Sequence, residues 1–137
     1  MNVDESLYAR LSTYAGLIAL TSTRIYPVKL PQTPTLPAIT YYRVNAPTEH
    51  VMGETISDIE RATYRLQCWG ETMTSARAVA AQVIAALDGF KGLLGGATGV
   101  RCWVTRTNSL DLDDPDTGWQ RRILDFEIWN TPEEEGE

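Results

Sequence analysis

The stretch from Arg61 to Gly89 constrains the fold more than any other part of the chain. In its first part, Ala62, Tyr64, Leu66 and Cys68 alternate with Thr63, Arg65, Gln67 and Trp69. A period of two sends these sets to opposite faces of a sheet, so Arg61–Gly70 is predicted to be a strand. Only a few residues later, Ala76, Val79, Ala80, Val83, Ile84 and Leu87 recur at steps of three and four. That spacing lines one face of a helix. Thr72 or Thr74 supplies its N-cap and Gly89 its left-handed stop. One helix with one apolar stripe needs one sheet face to cover.

The flanking segments fill in the layers. Asp4–Ala15 reads as a first helix, with Val3, Leu7, Leu11 and Tyr14 in register, acids at its positive end and Gly16 as its stop. Leu17–Leu20 reads as a helical turn, and Thr23–Tyr26 starts an extended stretch. Pro27, Pro31, Pro34 and Pro37 then exclude a helix or a central strand. Ala38–Asn45 is rich in β-branched and aromatic residues and is the expected strand partner of Arg61–Gly70. Their connection, Ala46–Glu60, is long for a hairpin and carries Val51, Met52, Ile56 and Ile59. It reads either as a two-stranded arm that continues the hairpin or as a loop that meets a partner surface.

Past the long helix, Phe90–Gly99 reads as a glycine-rich turn and Val100–Thr107 as a strand. Asn108–Trp119 reads as an acidic loop. Gln120–Trp129 reads as the last strand, with Leu124, Phe126 and Ile128 on its apolar face. Strands joined by hairpin-length links give an α+β fold: a mostly antiparallel sheet of about four to five strands with helices packed on one face. The length fits one domain over residues 1–130, followed by an acidic tail, 131–137, with no reason to order.

Charge is unevenly placed. The net charge is −6, yet four glutamates crowd the last five residues and Asp111, Asp113, Asp114 and Asp116 crowd one segment. Without these eight of the eighteen acids, ten remain against twelve Lys and Arg, so the body is slightly basic. This argues against a surface that grips nucleic acid overall. It suits a subunit with two electrostatically different sides. No apolar run reaches the roughly 20 residues of a membrane span, and the acidic N-terminus does not resemble a signal peptide.

Catalytic chemistry finds little support. His50 is the one histidine, and no nucleophile elbow accompanies it. Gly92–Gly99 lacks the Gly-Lys-Ser/Thr ending of a phosphate loop and follows a helix, where a phosphate loop precedes one. The run from Asp111 departs from a calcium loop at its fifth, sixth and twelfth positions, which hold Pro115, Asp116 and Arg122. Cys68 and Cys102 read as buried free thiols. No metal site and no cofactor is therefore expected. Asp125 and Glu127 share a strand face and are expected to pair with Arg65 and Arg101. Trp69, Trp103 and Trp129 are expected on that same outer face, and tryptophan with arginine is an interface signature.

The order of landmarks resembles the tail-completion family of long-tailed bacteriophages, which includes tail terminators and head–tail joining proteins. The residues that carry the resemblance are Arg24–Pro27 (RIYP), Leu36–Val44 (LPAITYYRV), Leu66–Gly70 (LQCWG), the helix ending in Leu87–Gly89 (LDG) and Arg121–Trp129 (RRILDFEIW). The resemblance implies a non-enzymatic virion protein that forms a hexameric ring around the DNA channel. It would cap the tail tube and offer a surface to the head connector, with DNA passing through unbound. In that setting Val51, Met52, Ile56 and Ile59 are the candidate assembly arm. Asp111, Asp113, Asp114 and Asp116 are the candidate lumen-facing acids, repelling phosphates. The competing expectation is a small soluble cytoplasmic module whose acidic loop occupies a basic partner site.

Overall fold

The computed structural model describes residues 2–45, 48–50, 58–96 and 99–130. The acidic tail and Val51, Met52 and Ile56 lie outside these residues. The elements run α1 (Val3–Thr13), α2 (Ala15–Thr21), β1 (Ile25–Pro27), β2 (Ala38–Asn45), β3 (Thr48–His50), β4 (Asp58–Gly70), α3 (Met73–Leu87), β5 (Lys91–Leu94), β6 (Val100–Asp113) and β7 (Gln120–Asn130).

Among the described residues one sheet holds seven strands, in the order β1-β2-β4-β7-β6-β5, with β3 also paired to β4. Every pairing is antiparallel except β1 with β2. The fold is thus α+β as expected, but wider than the four to five strands predicted. The extra strands are short and were masked by glycine and proline. β1 ends in Pro27, which an edge tolerates. β5 occupies the first half of the segment read as a glycine-rich turn.

The alternation in β4 is realised in full: Ala62, Tyr64, Leu66 and Cys68 are all completely buried. Leu124, Phe126 and Ile128 of β7 join them, and α3 covers both strands with Val79, Val83 and Leu87. Thr72 is the N-cap, accepting from the Ser75 amide at 3.2 Å. Such a cap contributes about 1 kcal/mol. Asp88 follows the helix and Gly89 turns the chain with φ +78°. The first helix opens on a capping box between Asn2 and Glu5. Arg10 of α1 donates to the Ala86 carbonyl at 2.9 Å, and Ser6 accepts from the Val100 amide at 3.0 Å. These contacts pin α1 to α3 and β6.

Gly16 does not stop the first helix; it lies inside α2. A Cβ there would meet the Gln82 side-chain oxygen at 2.0 Å. Gly16 faces the tip of the Gln82 side chain of α3, and the break falls at Tyr14, whose ψ is 117°.

Candidate assembly surfaces

Three surfaces are built on this frame. The first is the sheet face away from the helices. Trp69 and Trp119 meet edge to face with centroids 6.4 Å apart, and Trp103 and Trp129 lie 6.3 Å apart. Cations stack on them: Arg121 over Trp69 at 4.9 Å, Arg61 over Trp129 at 5.4 Å and Lys91 over Trp103 at 5.4 Å. The expected outer-face tryptophans are therefore gathered, with Trp119 added from the β6–β7 turn. Trp103 remains 50% exposed. Each cation–π contact is worth about 0.5–1 kcal/mol where exposed.

Asp125 anchors the middle of this face. It is buried and accepts from Nε and Nη2 of Arg65, at 2.9 and 3.1 Å, and from the Asn108 side-chain amide at 3.4 Å. The Asp125 hydrogen bonds hold the Arg65 pKa above its ordinary value. The expected pair of Asp125 with Arg65 is present. The expected pair of Glu127 with Arg101 is not: Glu127 meets Arg61 at 4.0 Å, because Arg101 lies opposite Leu93 in the β5–β6 register.

The second surface is the acidic hairpin. Residues Asn108–Asp113 are strand, so only Asp114–Trp119 is a turn. A bulge between Arg106 and Asn108 shifts the alternation along β6. Beyond it, Asp111 and Asp113 fall on the helix side. Asp111 bridges two arginines, Arg122 at 2.5 and 3.2 Å and Arg77 of α3 at 3.0 Å. Asp113 accepts from Gln120, and Asp114 accepts from the Asp116 amide at 3.1 Å. The four acids are thus close in space but not alike, since Asp111 is neutralised within the molecule.

Asp111 should make stability depend on acid pH. Its hydrogen bonds to Arg122 first, then Arg77, hold its carboxyl below the ordinary value. A depressed carboxylate contributes stability above its unfolded pKa and loses it as pH falls through the folded one. The expected loss therefore begins below about pH 4. The pair is largely exposed, so the loss is under about 1 kcal/mol. Urea unfolding at stepped pH should show Asp111→Asn with a shallower acid slope than the parent. Equal slopes would remove the role of this pair.

The third surface is the end of the long hairpin. β3 pairs with β4 through Thr48 with Glu60, Glu49 with Ile59 and His50 with Asp58. The connection read as an arm or a loop thus begins as a two-stranded continuation of β2–β4. At its base Arg43 donates to the Tyr64 hydroxyl at 3.2 and 3.1 Å, and that hydroxyl donates to the Asp4 carboxylate. Burial, then the Asp4 bond, raises the Tyr64 pKa. Sequence reasoning gave Asp4 only a helix-start role, because nothing local marks a contact sixty residues away.

Cys68 and Cys102 are free and buried, as expected, and burial pushes their thiols up to about 12 and about 11. Among the described residues, no group of three His, Cys, Asp or Glu is placed to hold a metal ion. No helix among them is long and apolar enough to cross a membrane.

Comparison with known proteins agrees with the landmarks. No curated protein matches the sequence. A chain from the virion of a native gene transfer agent particle has the same fold, with a TM-score of 0.70 at 17% identity, covering 95% of each chain. The family described as tail completion protein gp17 matches residues 5–131, nearly the whole sequence. The chain therefore belongs to the gp17 tail completion family and is a structural protein of the bacteriophage virion tail.

Proposed function

We infer that this protein completes the tail as a ring subunit around the DNA channel, capping the tail tube and meeting the head connector. The observation that carries this reading is the family match across residues 5–131. The surfaces are consistent with it. A ring subunit needs complementary patches on two sides, and the Trp–Arg sheet face, the acidic hairpin and the long hairpin end are three chemically distinct patches. The role is non-enzymatic in this reading, as a family of structural tail proteins implies. The hairpin end, with Val51, Met52, Ile56 and Ile59, meets the neighbouring subunit or the tail tube.

Electron microscopy of lysates from a parent phage lacking this gene tests the reading. Overlong or variable tails without heads are the outcome for a tube cap. Tails of normal length beside detached full heads are the outcome for a joiner. Intact infectious particles would overturn both.

The acidic hairpin, with Asp111, Asp113, Asp114 and Asp116, faces the DNA channel in this reading. A conduit that repels phosphate keeps friction low. With Asp111 neutralised by two arginines, the turn residues Asp114 and Asp116 carry the effect. Particles with Asp114→Lys and Asp116→Lys should assemble and release DNA more slowly. An unchanged release rate would take the hairpin out of the channel.

A further inference from the structure

Among the described strands, both edges of the sheet are only partly covered. β5 covers β6 only over Val100–Trp103, and the last backbone bonds beyond it join Val104 to Phe90 and Gly89. The Arg106 amide is met by Asp88. Past that point, no described strand lies along β6 as far as Asp113. On the other side, β1 covers β2 only over Ile39–Tyr41. Past that, no described strand flanks the rest of β2 or β3. An exposed edge is a template for pairing. β6 between Asn108 and Asp113 has no proline, no lysine and no further bulge, and of its two aspartates Asp111 is already paired with arginines of its own molecule.

We propose that the β6 edge of one copy pairs with the β2–β3 edge of the next, joining the sheets around the ring. The inference rests on the ring reading above. Three features of the register support it. First, polarity fits. β2 and β3 run against β4, β4 against β7 and β7 against β6. A neighbour in the same orientation therefore meets β6 antiparallel.

Second, the hydrogen-bonding groups point the right way. Ile39 and Tyr41 bond outward to the β1 side, so Arg43 does too by alternation. In β6, Val104 bonds outward, and the bulge leaves Ser109, Asp111 and Asp113 outward.

Third, the open halves interlock. With β4 as a ruler, Asp113 is level with Gly70 and Ser109 with Leu66. Arg43 is level with Tyr64 and Thr48 with Glu60. An offset of about six residues brings Asp113 opposite Arg43, on the same face, and the Ser109 backbone opposite that of Thr48. That offset is about 20 Å along a subunit about 19 Å wide at four strands. The resulting tilt, about 45°, is what closed sheets adopt. Asp113 and Arg43 then form a pair between copies on the helix side. Asp114 and Asp116, farther along the turn, stay free for the channel.

Disulfide trapping in assembled virions tests this. Opposed strand residues are about 5.5 Å apart, within disulfide reach. Virions carrying Ser109→Cys with Thr48→Cys, oxidised and run without reductant, should give a ladder of linked copies; single-cysteine virions should not. Virions that contain the variant but give no ladder would overturn the edge pairing and leave the ring reading intact. A ladder from Arg106→Cys with Thr48→Cys, and not from the first pair, would overturn the six-residue register. Wild-type virions lacking the chain altogether would overturn the ring reading itself. Where cysteines block incorporation, the charge pair decides. Asp113→Arg should cut incorporation about tenfold or more by facing Arg43 with a like charge. Adding Arg43→Asp should restore it, and failure to restore by a double variant that urea unfolding shows to be as stable as Asp113→Arg would overturn the pairing.

Discussion

Phe126→Ala lowers the unfolding free energy by about 3–5 kcal/mol, the largest loss expected from a single substitution in this chain. The side chain is fully buried in the middle strand of the sheet. It lies between Tyr64 of β4 and Arg106 of β6, under the face that α3 covers. Removing the ring leaves a cavity that flanking strands cannot close, because their register is fixed on both sides. Domains of this size hold only about 5–15 kcal/mol in all, so the variant should approach instability at growth temperature. Urea unfolding measures it. Trp103→Ala serves as the contrast: half its surface already meets solvent, so its loss should be much smaller. Equal losses would mean that the core is not centred on β7.

The parts of the fold that were legible are those where one face is buried and unbroken. Tyr64, Leu66 and Cys68 keep a strict period of two, and Val79, Val83 and Leu87 keep helical spacing, because each set faces a single continuous core. Where the pattern is interrupted, the reading failed. The bulge between Arg106 and Asn108 reverses the parity of β6. Val100, Cys102 and Val104 point to the helices, while Leu110 and Leu112 belong to the opposite face. With aspartates between, that reads as a loop. β5 is four residues with a central glycine and has no period to detect. Gly16 misled for a different reason: it sits inside a short helix, and no local signal separates such a glycine from a stop. The candidate surfaces depended on register. Trp69, Trp103 and Trp129 could be assigned to one face by parity alone. The partner of Glu127, the coupling of Asp111 to Arg77 and the Asp4–Tyr64–Arg43 chain link segments far apart, and no local periodicity encodes them.

Replacing residues 50–58 with Asn-Gly should give a folded protein that no longer enters tails. Glu49 and Ile59 lie opposite each other, and a two-residue Asn-Gly turn closes such a hairpin with the right twist. The shortened loop should change stability by only about 1 kcal/mol, since closure entropy varies slowly with length. Among the described side chains of β4, the fully buried ones lie from Ala62 onward, outside the replaced stretch. What is removed is the segment bearing Val51, Met52 and Ile56, the apolar residues assigned to assembly in the proposed function. Circular dichroism and urea unfolding establish the fold, and immunoblotting of purified particles reads incorporation. An unfolded product would mean that the hairpin end is part of the core. A folded product present in tails at parental levels would mean that assembly does not use this end. The contact with the neighbour would then rest on β2, β3 and β6 alone.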